Sequence, residues 1–228
     1  FEDVTGRDLS QFKRWYAQSG TPRLTVEEAF DNGTYTLTFE QSTAPTPGQP
    51  DKAPQEIPIA VGLLGQNGDE VVPTQVLEMT QARQSFTFDG LAAKPVPSIL
   101  REFSAPVILE REMSSADNAF LLAHDTDPFN RWEAGRALAR ATLLDMAVRG
   151  ATPDADYLDG VLTVLRDDSL DPAFRALMLG QPGQSELAGV LADAGATPDP
   201  DALWGASETL KQALAQHVQD LLPRVQYQ

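Results

Sequence analysis

The 228-residue sequence contains no cysteine and only two histidines, His124 and His217. Without cysteine the chain has no disulfides, thiolate nucleophiles, iron–sulfur clusters or cysteine-ligated zinc, as is typical of a reducing compartment. With 17 Lys and Arg against 33 Asp and Glu, the net charge is −16, which disfavours binding to nucleic acid. No apolar run approaches the roughly 18 residues of a membrane span. These absences predict a cytoplasmic protein with neither a nucleic-acid nor a membrane partner.

The two histidines cannot form an H-E-x-x-H zinc motif, because they stand 93 positions apart. We expect structural roles for both, with His124 at a helix end and His217 at the edge of a leucine stripe. Asp154-Ala155-Asp156 with Gly160 does not match a calcium-binding EF-hand loop. The sequence therefore predicts no catalytic, cofactor-binding or metal-binding residue in this chain.

The first half of the chain has the alternating pattern of β-strands. Apolar and polar residues alternate from Arg23 onward, and Asp31-Asn32-Gly33 is typical of a hairpin turn. The proline-rich residues 44–54 are expected to form a loop. Further strands are expected at 57–64, 71–77, 85–88, 99–103 and 107–109. About seven short strands without helix-length crossovers predict an antiparallel β-sandwich.

The second half has the composition of a helical domain. Alanine rises from 9 residues up to Met113 to 20 after it, while proline falls from 10 to 7. Asp127-Pro128 and Asp171-Pro172 are both typical of helix starts and lie 44 residues apart. Thr152-Pro153-Asp154 and Thr197-Pro198-Asp199 repeat after 45 residues. This spacing predicts helix pairs of the HEAT or armadillo kind, and the alternative is coincidence among common capping residues.

The helix expected at residues 129–148 carries two apolar sets, which predicts that both of its sides are buried. The first set is Phe129, Trp132, Ala139, Leu143 and Met146, and the second is Ala137, Ala141, Leu144 and Val148. At the extreme N-terminus, Leu9, Phe12 and Tyr16 recur at helical spacing, so a helix is expected there, ending near Gly20.

Several motifs together resemble a known family. The run Asp8-Leu-Ser-Gln-Phe-Lys-Arg-Trp-Tyr-Ala-Gln-Ser-Gly-Thr-Pro22 is similar to the end of the catalytic domain of bacterial aminopeptidase N, a zinc-dependent gluzincin metallopeptidase. Four later stretches resemble its following segments in the same order. They are residues 35–38, 80–82 with 86–89, 95–107 and 127–134.

The resemblance implies a multidomain β + α fold, with an Ig-like antiparallel β-sandwich followed by a truncated α-α superhelical domain. Residues 1–22 would be the terminal helix of the upstream catalytic domain, 23–113 the sandwich and 114–228 the first part of the α domain. Zinc, peptide substrates and the catalytic residues would belong to the parent enzyme, since none of the family's active-site motifs has a matching position here. The fragment alone would be inactive and would help to enclose a substrate chamber.

Two further expectations follow. A truncated superhelix lacks its next neighbour, so the helix at 199–222 is expected to expose part of its leucine stripe and to self-associate through it. The stripe is Leu203, Leu210, Leu214 and Leu221. The alternative function is a free-standing protein-interaction module without a catalytic parent, which an in-frame H-E-x-x-H sequence upstream in the gene would exclude.

Overall fold

The computed structural model describes residues 2–221. The chain divides into two compact units, Phe1–Glu112 and Met113–Gln228. The first unit is a β-sandwich preceded by two short helices, and the second is helical. The predicted fold class, β followed by α, is confirmed.

The first unit contains seven strands within the described residues. Its elements are α1 (Glu2–Thr5), α2 (Arg14–Ala17), β1 (Arg23–Asp31), β2 (Thr34–Ser42), β3 (Ile57–Leu64), β4 (Glu70–Met79), β5 (Arg83–Phe88), β6 (Val96–Ile99), a 3-10 turn (Arg101–Phe103) and β7 (Ile108–Glu110). One sheet has the order β5-β2-β1-β7 and the other β4-β3-β6. Neighbouring strands are antiparallel except for β1 and β7, which are parallel.

The hairpin between β1 and β2 has the predicted turn. Asn32 and Gly33 have positive φ angles of 47° and 81°, and Asp31 pairs with Thr34 across the turn. Positive φ at both central residues is the requirement of a type I′ turn, which explains the Asn-Gly sequence. Because the turn fixes the register, alternate residues of both strands face inward and form the core with the second sheet. The fully buried members include Leu24, Tyr35, Leu37, Phe39, Ile57, Ile59, Val61 and Leu63.

The strand predicted at 99–103 is wrong, because β6 ends at Ile99 and a 3-10 turn follows. Leu100, Glu102 and Phe103 have positive φ angles of 60°, 57° and 53°, which no strand can accommodate. The residue between them, Arg101, is buried. The chain therefore turns sharply so that the guanidinium group of Arg101 can enter the sandwich.

The second unit consists of helices, four of which have an aspartate N-cap within the described residues. The helices are α3 (Ser115–His124), α4 (Pro128–Arg149), α5 (Ala155–Arg166), α6 (Pro172–Leu177), α7 (Gln184–Asp193) and α8 (Pro200–His217). The side chains of Asp127, Asp154, Asp171 and Asp199 each accept a hydrogen bond from the first helical turn, as their sequence context predicts.

The helices that follow the repeated cap motifs differ in length and number. The helices α4 and α6 both begin at the predicted Asp-Pro pairs. They differ in length, since α4 has 22 residues and α6 only 6. The extra helix α7 lies between α6 and α8. A cap motif fixes only where a helix begins, since its end is set by packing and by the next breaker.

The prediction that α4 is buried on two sides is also wrong. Its buried residues form one broad face: Arg131, Ala134, Gly135, Leu138, Ala139, Thr142, Leu143 and Met146. From the second predicted set, Ala141 and Val148 are exposed. Alanine carries too little apolar surface to require burial, so the second stripe was a weak signal.

The leucine stripe of α8 is covered within its own unit, which contradicts the predicted exposure. Leu203, Leu210 and Leu214 are 2%, 0% and 5% exposed, and Leu221 is partly buried. The helix α8 packs against α4, α5 and α7, which together cover this face. The predicted helix end at residue 222 lies outside the described residues. The prediction of self-association required this stripe to be exposed, so the structure removes the basis of that prediction.

Candidate functional site

Residues 2–20 lie on the sandwich, and we call them the N-terminal segment. The indole of Trp15 packs against the sandwich core, and its Nε1 donates a hydrogen bond to the Glu56 carbonyl at 2.7 Å. Arg14 donates to the Pro54 carbonyl, and Gln11 Nε2 donates to the Thr80 carbonyl at 2.6 Å. These contacts join the segment to β3, to the loop before β3 and to the end of β4.

The helix predicted in this segment is shorter than expected. Only Arg14–Ala17 is α-helical after a turn at residues 10–13. The Asp8 carboxylate accepts from the Ser10 amide at 2.8 Å, an Asx-type bond that competes with helix. The apolar positions that suggested the helix do not face the core, since Phe12 is 38% and Tyr16 84% exposed.

A surface cavity of about 620 Å³ lies between the N-terminal segment and strands β3 and β4. Its lining residues are Glu2, Arg7, Leu9, Phe12, Lys13, Tyr16, Glu56, Pro58 and Glu78. The rings of Phe12 and Tyr16 meet edge to face with their centroids 6.2 Å apart. This concave feature combines exposed aromatic rings with charged side chains, and it is our candidate functional site.

The charged groups of the cavity are paired with each other. Arg7 contacts Glu56 at 2.5 Å and Glu78 at 3.0 Å, while the Lys13 ammonium lies 2.9 Å from Glu2. Hydrogen bonds from Lys13 and from the Leu9 amide hold the pKa of Glu2 below its usual value. The carboxylate of Glu78 and then that of Glu56 raise the pKa of Arg7. The lowered pKa of Glu2 and the raised pKa of Arg7 keep these two groups ionised near neutral pH.

A second charged cluster joins β1 to the end of the sandwich. Glu28 Oε1 accepts from Arg111 Nε and Nη2 at 3.0 and 2.7 Å, and Oε2 accepts from the Tyr35 hydroxyl at 2.9 Å. Burial raises the pKa of Glu28, but Arg111, Tyr35 and Lys94 outweigh it and hold this pKa below its usual value. Glu27 points to the other face, where it pairs with Arg83. The two adjacent glutamates therefore have separate partners on opposite faces of the sheet.

Two arginines are buried, and sequence patterns gave no signal for either. Arg101 Nε donates to Ser98 Oγ at 2.9 Å and Nη1 to Thr74 Oγ1 at 2.7 Å, and the guanidinium also pairs with Glu70. Arg131 Nε donates to the carbonyl of residue 122 at 2.7 Å. An arginine in an otherwise apolar helical stripe is the only hint that sequence could have offered.

Both histidines lie at helix ends, as the sequence predicts for His124. His124 is the last residue of α3, and its ring lies 4.9 Å from that of Phe120. His217 ends α8, and its Nε2 is 2.8 Å from Asp159 Oδ1. Within residues 2–221 no three His, Cys, Asp or Glu side chains are grouped so that they could hold a metal ion. These residues do not fit a zinc site, so zinc enters only through the family resemblance.

The helices of the described part of the chain include none that is both long and apolar enough to cross a membrane.

Comparisons with known proteins place these features in a family. Residues 20–112 match a domain of unknown function, DUF3458, described as an Ig-like fold. Residues 115–228 match its C-terminal companion, DUF3458_C, described as ARM repeats.

The chain is similar to Aminopeptidase N of Escherichia coli, with 38% identity over 97% of the chain and 27% of that protein. Aminopeptidase N of Caulobacter vibrioides is 44% identical over 99% of the chain and 26% of its own length. A crystal structure of Legionella pneumophila aminopeptidase A in complex with aspartic acid superposes with a TM-score of 0.77. Its sequence identity is 29%, covering 96% of the chain and 25% of that protein.

The chain spans about a quarter of the length of the relatives it matches. The resemblance to bacterial aminopeptidase N is therefore confirmed for a segment of such a protein. On these matches, the chain belongs to the DUF3458 family, an Ig-like domain followed by a domain of ARM repeats, as found within bacterial aminopeptidase N.

Proposed function

We propose that the chain is a non-catalytic segment of a zinc-dependent metallo-aminopeptidase, which removes N-terminal amino acids from peptides. The observation that carries this proposal is the match to Aminopeptidase N over 97–99% of the chain at 38–44% identity. In this proposal residues 1–22 end the catalytic domain, residues 23–113 are the linking sandwich, and residues 114–228 begin the α domain. The zinc, the peptide substrate and a cytoplasmic location belong to the longer protein.

The linking role is supported by how the sandwich holds the chain at both of its ends. At the start, the Trp15 indole and the Arg14 side chain bind backbone carbonyls beside β3. At the end, Arg111 binds Glu28 and the Pro97 carbonyl. A domain that transmits position between its neighbours needs such fixed ends, because loose ends would leave the attached domains free to move.

The contribution of this segment is architectural, and no proton transfer is assigned to it. The cavity carboxylates are paired with cationic side chains of the same cavity. Neither histidine lies with a group that could act as a nucleophile within the described residues, since His217 pairs with Asp159 and His124 stacks on Phe120. The helical unit would help to enclose the substrate chamber of the parent enzyme.

A peptidase assay on L-alanyl anilides tests the proposal. We expect no turnover above buffer from the 228-residue chain and zinc-dependent turnover from the longer protein that contains it. Turnover by the 228-residue chain would contradict the proposal. A longer protein that is folded and zinc-loaded but inactive on every N-terminal residue tried would contradict it as well, and would favour the interaction module.

A further inference from the structure

Two Asn-Gly pairs stand in turns of the sandwich, Asn32-Gly33 between β1 and β2 and Asn67-Gly68 between β3 and β4. An asparagine before glycine is prone to cyclise, because glycine places no side chain in front of the attacking amide nitrogen. We propose that Asn67 is a self-modifying site, which the fold makes reactive and which converts to aspartate and isoaspartate in preference to Asn32. This inference concerns the sandwich itself and goes beyond the proposed function.

The reaction needs only the chain and water. The Gly68 nitrogen bonds to Asn67 Cγ and loses its proton, the Cγ–Nδ2 bond breaks, and Nδ2 leaves as ammonia with that proton. One water molecule then opens either of the two C–N bonds of the cyclic imide, which gives aspartate or isoaspartate at position 67. The product carries a new negative charge close to Glu70, whose carboxylate pairs with the buried Arg101.

The loop around Asn67 holds the side-chain amide in position for this attack. The backbone amide of Asp69 donates to Asn67 Oδ1 at 3.3 Å, and Asp69 Oδ2 accepts from Asn67 Nδ2 at 2.6 Å. A side chain that bonds two residues ahead lies folded over the intervening peptide, which here supplies the Gly68 nitrogen. The Asp69 N–H also donates to the oxygen on which negative charge develops in the transition state.

The end of the β3–β4 hairpin can open locally, which the attack requires. The Gly68 amide donates to the Gly65 carbonyl at 2.9 Å, and this bond must break first. It belongs to a hairpin end at which the pairing of β3 with β4 shifts register twice, within residues 61–64. Asn67 and Asp69 are both exposed. An exposed, irregular hairpin end opens at a lower free energy than a regular ladder of strands.

Asn32 has the same Asn-Gly sequence in a setting that holds it away from attack. Its Nδ2 donates to Asp31 Oδ2 at 3.1 Å, so the side chain is directed towards the preceding residue. The turn is closed by two strands of nine residues that pair in regular register. The Gly33 carbonyl also accepts from the Leu91 amide at 2.9 Å. Movement of the Asn32-Gly33 peptide therefore breaks more contacts than movement at Asn67.

Peptide mass spectrometry tests the proposal, because trypsin separates the two sites. Residues 24–52 contain Asn32 and residues 53–83 contain Asn67, each as the single asparagine of its peptide. The folded 228-residue chain is incubated at mildly alkaline pH, and the mass gain of each peptide is followed over time. We expect residues 53–83 to gain mass at least about fivefold faster, which corresponds to one net hydrogen bond in the transition state. Equal rates, or a faster gain at Asn32, would overturn the proposal.

The same chain in urea is the matched control. Unfolding removes the contacts of both turns and leaves both Asn-Gly sequences unchanged, so we expect the two rates to become similar. A preference for Asn67 that persists in urea would overturn the proposal, because the local sequence and not the fold would then cause it.

Two variants assign the chemistry to its residues. Asn67→Gln should abolish the mass gain of residues 53–83, since the longer side chain would have to form a larger and less favourable ring. A gain that remains in this variant would come from another side chain and would overturn the proposal. Asp69→Ala should slow the reaction at Asn67 severalfold and leave Asn32 unchanged, because it releases the Asn67 amide. An unchanged or higher rate at Asn67 would overturn the positioning by Asp69 on which the proposal depends.

Discussion

The sandwich and the helical unit each bury an arginine, and they hold it in different ways. Arg101 is bound by Glu70 and Thr74 on β4, which lie 31 and 27 positions before it, and by the nearby Ser98 on β6. Arg131 donates to the backbone carbonyls of residues 122 and 123, which lie only nine and eight positions before it. Burial lowers the pKa of Arg131, and only Asp167 and Asp125 counter this with negative charge.

This difference shows two ways of fixing a fold. In the sandwich, one arginine ties strands of high sequence separation together, so its surroundings depend on the whole sheet. In the helical unit, the arginine supplies donors to the last carbonyls of α3, which a helix cannot satisfy by itself. We therefore expect the sandwich to respond to changes at long-range contacts and the helical unit to changes at helix junctions.

The largest effect is expected from Leu122→Ala in the helical unit. Leu122 is fully buried where α3 meets α4 and α5, and a Cβ at Gly160 or Gly135 would come within 2.6 or 3.2 Å of its side chain. Loss of a leucine so enclosed costs about 2–5 kcal/mol. The loss in free energy of unfolding is measured by denaturant-induced unfolding, with hydrogen exchange as the readout for each unit.

The control for that junction is a double variant. Gly160→Ala alone should destabilise the helical unit, and Leu122→Ala with Gly160→Ala should cost less than the sum of the two single variants. Additive losses would show that the close packing of these residues does not hold the junction.

Gly62→Ala tests the buried arginine of the sandwich. A Cβ at this position would lie 2.3 Å from Arg101 Cζ, so the guanidinium would have to leave its site. We expect a loss of about 1–3 kcal/mol from overpacking, confined to the sandwich. Gly189→Ala is the matched control, because nothing lies within 4 Å of its added Cβ. Equal stability of both variants in chemical denaturation would contradict the account.

Glu28→Gln should remove an acid-sensitive contribution from the sandwich. Because the folded-state pKa of Glu28 is lowered, its contribution is present above the unfolded-state pKa and is lost as the pH falls through the folded value. We expect a loss of about 1.5 kcal/mol at pH 7, typical of a hydrogen bond to a charged group. The variant should also have a flatter stability profile below pH about 4.5.

The neighbouring Glu27→Gln serves as the comparison, since Glu27 is exposed and pairs with Arg83 at the surface. Its loss should stay within about 0–1 kcal/mol. If both variants changed thermal unfolding equally at pH 7 and pH 4, the buried cluster around Glu28 would have no special role.

The smallest effect is expected from Tyr157→Phe in α5. Among the described residues, the buried Tyr157 hydroxyl has no hydrogen-bond partner, and burial raises its pKa to about 12. Removing the hydroxyl should be neutral or stabilising by up to about 1 kcal/mol. In the unsubstituted chain, the contribution of Tyr157 to stability is lost as the pH rises from about 10 towards 12. The variant should lack this loss. Tyr35→Phe should be destabilising instead, because it loses the bond to Glu28.

Local sequence patterns were sufficient to predict where several helices begin and where the first hairpin turns. The hairpin at Asn32-Gly33 and the caps at Asp127 and Asp171 depend on backbone geometry within a few residues, so residue type alone predicts them. The turn at Leu100–Phe103 could not be predicted from local sequence. Its positive φ angles accompany the burial of Arg101 beneath Gly62, which is a tertiary contact. That contact is visible only once β3 and β6 are paired.

The candidate site shows the same limit. Leu9, Phe12 and Tyr16 have helical spacing, but which of them face the core depends on Trp15, which occupies the contact with the sandwich. The cavity forms from two parts of the chain that are about 40 residues or more apart, so no local pattern contains it. The family resemblance identified the segment, and only the structure located the surface.

The central claim is that this chain carries architecture and that the metal chemistry lies elsewhere in the longer protein. Zinc content measured side by side after exhaustive dialysis tests it most directly. We predict no tightly bound zinc in the 228-residue chain and one zinc for each copy of the longer protein. One tightly bound zinc in the 228-residue chain would contradict the account.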